Sequence, residues 1–390
     1  MTQGWTDHEQ WMRGALEQAA CGLGRTHPNP AVGCVIVSGE RVVARGFTQP
    51  VGHAHAEVMA LKELASAQID PATCTMYVTL EPCCVFGRTP PCSSAIIEAG
   101  IPHVVIGALD PDERMNGRGV KILRDHGVEV TCGVLADDCE RSIEGFAKRV
   151  TLGVPWVTAK FAMTLDGKIA SHTGASAWIS SAASRRRVHE WRDVHDAVMV
   201  GYGTLVADDP RLTCRGVEGG RDPWRVVVDA QLKAPLGSRV YDPDTSTAPT
   251  VVLTGPDADA QAREVLSARG IRVAQVEADE RGWLELEPAL KALSDLGLTS
   301  VLVEGGGALL GGLFDGGLVD RVRAFVAPMI LGGVEAPGPV MGAGFASPAE
   351  AVRLERVRTE IVDGDVLLVG DVPRTRRAFV APEVILEEDA

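Results

Sequence analysis

The sequence is poor in aromatic residues and in positive charge. Only 5% of its 390 residues are Phe, Trp or Tyr, too few for a continuous strip of rings on which single-stranded bases could stack. Lys and Arg number 38 against 52 Asp and Glu, and residues 1–147 and 148–390 each carry a formal charge of −7. Because nucleic-acid binding depends on neutralising phosphates, we expect no nucleic-acid partner.

Long apolar stretches are also missing. No run approaches the roughly 18–20 residues that a membrane-spanning helix needs. The first residues, MTQGWTDHEQWM, lack the apolar centre of a secretory signal. The nine cysteines, an odd number, are therefore expected to be thiols of a reduced compartment and not a disulfide framework. We expect a cytoplasmic protein without membrane segments.

What the sequence does contain is two successive patterns of alternating helices and strands. In the first half, strands are predicted at residues 32–37, 41–46, 74–80, 103–108 and 128–132. Helices between such short strands indicate a mostly parallel sheet covered on both faces. Gly153-Val154-Pro155 breaks the last helix of this pattern, and a similar α/β pattern follows. We predict domains at 1–147 and 154–372 and a C-terminal tail at 373–390.

Eight of the nine cysteines lie in the first predicted domain, together with a group of metal-ligating residues. His55 and Glu57 belong to an H-A-E motif, Cys83 follows a proline, and Cys92 comes nine positions later. A catalytic zinc site uses three thiolate or imidazole ligands and leaves one position for water, so His55, Cys83 and Cys92 form a candidate set. Glu57 can carry a proton from the activated water to a leaving amine. The pattern matches the zinc deaminase signature H-x-E…P-C-x-x-C except in the spacing of the second cysteine.

Two alternatives remain open. A closed structural zinc site, with Cys84 as fourth ligand, would make the chain a zinc-stabilised binding protein. A tRNA or free-nucleobase deaminase with an appended dehydrogenase domain is the other, although the acidic first half disfavours tRNA. The remaining cysteines are expected to be packing residues: Cys21, Cys34, Cys74, Cys132, Cys139 and Cys214.

Ten short motifs spread over both halves carry a family resemblance. In the first half they are Thr26–Val37, His55–Glu57, Thr79–Cys83, Gly87–Cys92, Asp110-Pro111 and Gly117–Gly119. In the second half they are Lys160–Gly167, Ser176–Ile179, Thr204–Pro210 and Val303–Gly306. Over residues 5–370 the chain resembles the bifunctional deaminase–reductase family of riboflavin biosynthesis. The resemblance implies an α/β protein with a cytidine-deaminase-like three-layer domain followed by a dihydrofolate-reductase-like α/β domain.

The same resemblance implies two reactions on one small phosphorylated pyrimidine substrate. The first domain, with one Zn²⁺ on His55, Cys83 and Cys92 and with Glu57 as catalytic residue, would hydrolytically deaminate 2,5-diamino-6-(ribosylamino)pyrimidin-4-one 5′-phosphate. The second would use NADPH to reduce the ribosyl group to ribityl, giving 5-amino-6-(ribitylamino)uracil 5′-phosphate. Members of the family often associate through the reductase domain, so a homo-oligomer is expected.

Binding residues carry over from the family position by position. In the deaminase domain the implied substrate contacts are Asn29, Arg88 and Asp110. In the reductase domain the implied substrate contacts are Ser176, Arg192, Leu212, Arg215 and Glu304. The implied cofactor contacts there are Met163, Trp178, Thr204, Asp208, Gly306 and Gly307. The two arginines suit a sugar phosphate because guanidinium grips phosphate through two hydrogen bonds, and the glycines after Glu304 let the backbone approach a phosphate.

The chain departs from the family pattern at three places. Cys84-Val85-Phe86 stands where many members have one or two histidines, Thr48 where many have histidine, and Asp112 where many have asparagine. Since the zinc ligands and Glu57 are intact, we expect deaminase chemistry with altered substrate contacts. Phe86 is a candidate to stack on the pyrimidine.

Overall fold

The structure, a computed structural model, describes residues 5–87 and 90–373. These residues divide into two compact units, and the division falls between Leu152 and Gly153. The expected substrate contact Arg88 and all but the first residue of the expected tail lie outside the described residues. Among the described helices, none combines the length and the apolar character needed to cross a membrane.

The first unit folds around a five-stranded sheet with the strand order β2-β1-β3-β4-β5. Its described elements are α1 (Trp5–Gly22), β1 (Gly33–Ser38), β2 (Arg41–Phe47), α2 (Ala56–Ser66), β3 (Cys74–Leu80), α3 (Cys92–Ala99), β4 (His103–Ala108), α4 (Arg118–Asp125), β5 (Glu129–Cys132), α5 (Ala136–Ser142) and α6 (Glu144–Leu152). Strands β3, β4 and β5 are parallel, whereas β1 is antiparallel to both β2 and β3. The expectation of a mostly parallel sheet is therefore wrong for two of the four strand pairs. In the β1–β2 pair only two residues join the strands, and so short a turn requires an antiparallel arrangement.

Two glycines show how closely helices cover both faces of this sheet. A Cβ atom on Gly33 would lie 1.9 Å from the Ala15 carbonyl oxygen of α1, and one on Gly46 would lie 2.2 Å from the Ala56 carbonyl oxygen of α2. Gly46 pairs with Cys34, the residue after Gly33, so the two glycines face opposite sides of the sheet. Helix α5 packs with α1, and α2, α3 and α4 contact one another in turn. The unit thus has the expected three layers.

The second unit is built on a nine-stranded sheet. Its described elements are β6 (Trp156–Thr164), α7 (Ala182–Val194), β7 (Ala197–Gly201), α8 (Tyr202–Asp208), β8 (Trp224–Val228), β9 (Thr250–Thr254), α9 (Ala260–Ala268), β10 (Arg272–Gln275), α10 (Leu286–Asp295), β11 (Ser300–Val303), α11 (Gly307–Asp315), β12 (Arg321–Ala327), β13 (Glu355–Val362) and β14 (Asp365–Asp371). The strand order is β10-β9-β8-β7-β11-β6-β12-β14-β13, with all neighbours parallel from β10 to β12 and an antiparallel hairpin at β13 and β14. The expected succession of two α/β units is confirmed.

Strand order in the second unit creates a crevice. After β7 the chain moves outward through β8, β9 and β10, and then returns to insert β11 between β7 and β6. Helix α8 follows β7 directly, and α11 follows β11 after a turn of three residues. In parallel sheets, ligands bind at the carboxyl ends of the strands where the direction of winding reverses. This edge, between β6, β11 and β7, is where a site is expected.

Candidate active sites

The first candidate site lies just beyond the carboxyl end of β3. His55 is the residue immediately before α2, Cys92 begins α3 after Pro91, and Cys83 lies three residues after β3. His55 Nδ1 is 3.5 Å from Cys83 Sγ and 3.3 Å from Cys92 Sγ, and the Cys92 backbone N–H donates to Cys83 Sγ at 3.2 Å. One ligand atom from each residue lies within 4.8 Å of the others. The structure therefore brings together the three residues that the spacing selected.

Electrostatics in this cluster favour a thiolate at Cys83. Its pKa is lowered well below the usual thiol range, first by the hydrogen bond with Cys92 and then by that with His55, against the opposing effect of burial. The pKa of His55 is raised, chiefly by its hydrogen bond with Cys83. Two sulfur ligands and one imidazole fit the donor set of a catalytic zinc ion, which uses three protein ligands and a water molecule.

Cys84 does not join the three ligands in the described structure. Its Sγ lies 3.8 Å from the Met115 sulfur, and the ligand group contains only His55, Cys83 and Cys92. The closed four-ligand site considered above would need a different orientation of this side chain. Of the cysteines expected to be packing residues, Cys21 is exposed, and that expectation is wrong because its helix presents this position to solvent.

Glu57 lies in the first turn of α2 and is buried. Burial, followed by the charge of Cys83, raises its pKa to about 7, although the nearby His55 opposes the rise. A divalent cation on the three ligands would oppose it further, since positive charge favours the carboxylate. Burial thus moves the pKa of Glu57 toward neutral pH and a bound cation moves it back, and a carboxyl group in such surroundings can act as a general base and acid.

A buried carboxylate that the sequence did not single out organises the loops around this site. Glu81, 3% exposed, follows β3 and accepts four backbone N–H groups from the loop after β4 and the start of α4. Its Oε2 accepts from Asp110 at 3.1 Å and Gly117 at 2.9 Å, and its Oε1 accepts from Gly119 at 2.8 Å and Val120 at 3.2 Å. This carboxylate ties the segment that carries Cys83 to the loop that carries Asp110.

The expected substrate contacts of the first unit lie in loops near strand ends. Asp110 is buried, and burial raises its pKa to about 7. Asn29 is half-buried in the loop before β1, where its backbone carbonyl accepts the Thr26 hydroxyl at 3.0 Å. Thr48 is also buried, and its hydroxyl accepts the Val32 backbone N–H at 3.2 Å. Phe86 is 81% exposed, so in this structure its ring stands in solvent.

The second candidate site is a cavity of about 2110 Å³ in the second unit. It opens at the carboxyl ends of β6, β7, β8 and β11, where the strand order predicted a crevice. Of the residues expected to bind substrate or cofactor, those on its wall are Ser176, Trp178, Arg192, Thr204, Asp208, Leu212, Arg215, Glu304, Gly306 and Gly307. Met163 does not line the cavity, whereas its neighbour Ala162 does.

Arg192 and Glu304 form a closed ion pair in this cavity. Arg192 Nε donates to Glu304 Oε1 at 2.6 Å, Nη2 donates to Oε2 at 2.9 Å, and Nη1 donates to the Thr213 carbonyl at 2.8 Å. Burial alone would raise the pKa of Glu304, but the charge and hydrogen bonds of Arg192 outweigh it and hold the pKa at about 2. The guanidinium fork expected to grip a phosphate is thus occupied by a carboxylate.

Arg215 and Arg211 are better placed than Arg192 to meet an anion. Both line the cavity beside Leu212. The pKa of Arg215 is lowered by burial and then by the positive charges of Arg192 and Arg211. An anion among these guanidinium groups would relieve that repulsion.

Lys160 was part of a family motif but was assigned no role from the sequence. It lies in the middle of β6 and lines the cavity. Burial lowers its pKa, and the negative charges of Glu304 and Asp208 partly oppose that effect. The sequence signal that could have identified it is a lysine in the middle of a largely apolar strand segment, WVTAKFAMT.

The remaining cavity residues form contacts across the crevice. Ser176 Oγ donates to Asp208 Oδ1 at 3.2 Å, which joins the loop after β6 to the end of α8. A Cβ atom on Gly306 would lie 3.3 Å from the Thr204 hydroxyl, so α8 and the turn after β11 approach closely. The Arg185 guanidinium stacks 4.3 Å above the ring of the exposed Trp178. These contacts outline a continuous wall at the carboxyl ends of the central strands.

Comparisons with known proteins match both halves of the chain. Residues 5–108 match the family described as the cytidine and deoxycytidylate deaminase zinc-binding region, and residues 155–368 match the RibD C-terminal domain. Riboflavin biosynthesis protein RibD of Actinobacillus pleuropneumoniae is 39% identical over 358 residues, which cover 92% of this chain and 93% of that protein. The protein of the same name from Aquifex aeolicus is 39% identical over 360 residues, covering 92% and 97%.

Solved structures of two proteins are similar to this chain over nearly its whole length. A diaminohydroxyphosphoribosylaminopyrimidine deaminase/5-amino-6-(5-phosphoribosylamino)uracil reductase from Thermotoga maritima superposes with a TM-score of 0.82 at 36% identity, covering 94% of this chain and 99% of that one. RibD from Acinetobacter baumannii gives a TM-score of 0.82 at 34% identity, with the same coverage of 94% and 99%. The similarity therefore includes both candidate sites.

Proposed function

Because the chain belongs to the RibD family of riboflavin biosynthesis proteins, we propose that its two sites catalyse the two consecutive reactions of that family. The first unit deaminates 2,5-diamino-6-(ribosylamino)pyrimidin-4-one 5′-phosphate. The second reduces the ribosyl group of the product to ribityl. The convergence of His55, Cys83 and Cys92 beside the buried Glu57 is the observation that carries the proposal.

In the first unit, His55, Cys83 and Cys92 would hold a zinc ion, which supplies Lewis acidity and activates water when bound. Glu57 takes a proton from the attacking water and gives it to the departing 2-amino group, which leaves as ammonia. Asp110, on the loop fixed by Glu81, orients the pyrimidine together with Asn29. The reaction consumes one water molecule and releases one ammonia molecule, and the ring carbon exchanges its amino nitrogen for the water oxygen.

Glu57→Gln tests the deaminase assignment. We expect the variant to retain stoichiometric zinc and to lose ammonia release, because the amide cannot carry the proton. Glu98→Gln, an exposed glutamate of the same unit, is the matched control and should keep wild-type activity. Ammonia release at the wild-type rate by Glu57→Gln with zinc bound would remove Glu57 from this role.

In the second unit, the cavity residues Thr204, Asp208 and Gly306 would hold NADPH, which would supply a hydride for the C1′ carbon of the sugar's open-chain imine. Lys160 donates a proton to the imine nitrogen, since it is a half-buried ammonium on the cavity wall whose pKa is already lowered by desolvation. The ion pair with Arg192 holds the Glu304 carboxylate in place. Arg211 and Arg215 bind the sugar phosphate. With a hydride from the cofactor, this proton would complete the conversion of the C=N bond to CH–NH.

The reductase assignment is tested on deaminated substrate. Lys160→Met should abolish NADPH oxidation while NADPH still binds, and Lys291→Met, an exposed lysine of α10, should not change the rate. Glu304→Ala should weaken reduction because it frees the Arg192 guanidinium. Normal reduction in the Lys160 and Glu304 variants would contradict the placement of this site.

We propose that a second copy of the chain associates through the second unit. The stretch between β12 and β13 exposes Ile330, Val334 and Phe345, and Val334 is 94% exposed. Large apolar side chains left exposed on one stretch of chain favour burial against a partner. An Ile330→Asp/Val334→Asp double variant should lower the mass measured by light scattering, whereas Val85→Asp in the first unit should not. A wild-type monomer would refute the proposal.

A cytoplasmic location and the absence of a nucleic-acid partner complete the proposal. All nine cysteines are free thiols, which suits a reducing compartment. The net charge of −14 opposes binding of a polyanion. A gel-shift assay with RNA at low salt should show no complex, and tight, salt-sensitive binding would instead favour a tRNA deaminase.

A further inference from the structure

An exposed tryptophan at one end of the reductase cavity takes no part in the steps above. Trp283 is 57% exposed and lines the cavity on the turn between β10 and α10. A large aromatic ring held in solvent at the rim of a cavity commonly marks a ligand-binding surface.

The turn that carries Trp283 is held rigidly by backbone hydrogen bonds. Ala278 and Leu284 form a β-bridge, and Asp279 N–H donates to the Trp283 carbonyl at 2.7 Å. Asp279 Oδ1 accepts the N–H groups of Arg281 and Trp283, both at 2.9 Å. Leu284 is buried in the core of the unit and anchors the turn. The backbone that carries the indole is therefore fixed, which lowers the entropy cost of ordering this turn when a ligand stacks on the ring.

The turn lies far from the reacting groups but on the same edge of the sheet. A Cβ atom on Gly255, just after β9, would lie 3.1 Å from the Ala230 carbonyl and 3.5 Å from Leu284 Cδ2. The Trp283 turn thus packs beside the loop that follows β8. Four strand spacings, or ~19 Å, separate β11 with Glu304 from β10. An extended dinucleotide with its nicotinamide near Glu304 would place its adenosine at this end.

The loop after β8 carries a lysine toward the same end of the cavity. Asp229 accepts the backbone N–H groups of Lys233 at 3.2 Å and Ala234 at 2.8 Å, which fixes the loop. Lys233 is exposed, lines the cavity and has no carboxylate ion pair within the described ranges. By contrast, Arg281 and Arg239 are paired with aspartates at 2.8 and 3.0 Å. Lys233 is therefore the cation available to a phosphate here.

We propose that Trp283 and Lys233 form the adenosine subsite of the reductase cavity. The indole stacks on the adenine, and the Lys233 ammonium binds the 2′-phosphate that distinguishes NADPH from NADH. The inference rests on the proposed reductase function and adds the residues that hold the cofactor's far end and select its phosphorylated form.

Equilibrium binding to the full-length protein tests the subsite without catalysis. The ligands are NADPH, NADH and reduced nicotinamide mononucleotide, which lacks adenosine. Binding of each ligand is measured by the fluorescence of its reduced nicotinamide. Trp283→Ala should raise Kd for NADPH and NADH alike by about fivefold or more, the effect of losing one base–aromatic stack, and should leave the mononucleotide unchanged. Trp283→Phe, which keeps a ring, should restore most of the affinity.

Lys233→Ala should raise Kd for NADPH by about tenfold, as expected for one charged contact to phosphate, and should leave Kd for NADH unchanged. An unchanged circular dichroism spectrum and an unchanged thermal unfolding transition of the second unit verify that each variant folds. If NADPH binds Trp283→Ala and Lys233→Ala as it binds wild type, or if the mononucleotide weakens equally, the subsite is wrong while the reductase assignment stands. Failure of the wild type to bind NADPH would overturn both.

Discussion

Replacing Glu81 by Gln would measure how strongly one buried carboxylate holds the deaminase loops together. The amide NH₂ must take the place of one carboxylate oxygen. Whichever oxygen is replaced, two backbone N–H groups lose their acceptor: Asp110 and Gly117 at Oε2, or Gly119 and Val120 at Oε1. The substituted nitrogen also points its own hydrogens at these donors.

The size of the effect follows from that count. A buried N–H left without an acceptor costs about 1–3 kcal/mol, so two of them should lower the free energy of unfolding of the first unit by about 2–6 kcal/mol. Shape and volume are nearly unchanged by the substitution, so packing contributes little. The loss is expected to be local, because all four donors belong to the loop after β4 and the first turn of α4.

Amide hydrogen exchange combined with urea unfolding is the suitable measurement, since a chain of two units need not unfold in a single transition. The amides of Asp110, Gly117, Gly119 and Val120 should exchange faster in Glu81→Gln than in wild type. Glu98→Gln, an exposed change of the same type, should stay within about 0.5 kcal/mol. Equal urea midpoints for the two variants, with all four amides still protected, would refute the reasoning.

Three further predictions concern both units. Cys84→Ser should retain zinc and fold, and metal loss measured by atomic absorption would favour the closed site instead. The folded-state pKa of Glu304 is depressed from 4.5 to about 2, so its ion pair stabilises the second unit above pH 4.5 and this stabilisation is lost as pH falls toward 2. In acid titrations, the difference in unfolding free energy between wild type and Glu304→Gln should therefore close over that interval. A difference that does not change with pH would contradict this prediction. Gly311→Ala would place a Cβ 1.9 Å from the Met341 carbonyl oxygen, so calorimetry should show a loss of about 1–3 kcal/mol or more. Gly203→Ala in α8, which has open space around it, should be neutral or slightly stabilising, and equal effects of the two alanines would show that the close approach is relieved elsewhere.

The metal cluster could be predicted from the sequence because each ligand lies at the end of a readable element. His55 precedes a helix, Cys83 follows a strand, and Cys92 starts a helix after a proline. Elements that follow a buried strand meet at the same sheet edge, so short-range patterns were enough to bring distant residues together. The same reasoning located Glu304 at the end of β11.

Features that depend on long-range partners could not be predicted in this way. Glu81 stood in a recognised motif, but its four donors lie 29 to 39 residues later in a loop without strong periodicity. The Arg192–Glu304 pair joins residues 112 positions apart, and the sequence therefore left Arg192 free for phosphate. Strands β13 and β14 were missed because β13 is exposed along almost its whole length and shows no apolar alternation.

The close approach of α1 and α2 to the first sheet also determines which residues of β1 and β2 can pair. A shift of β1 by one position would put Val32 or Cys34 where Gly33 now lies, and their side chains would collide with the Ala15 carbonyl oxygen. Such a shift would also reverse the faces of every side chain on the strand. The glycines thus lock the register of β1, and with it the point at which the preceding loop, which carries Asn29, enters the sheet.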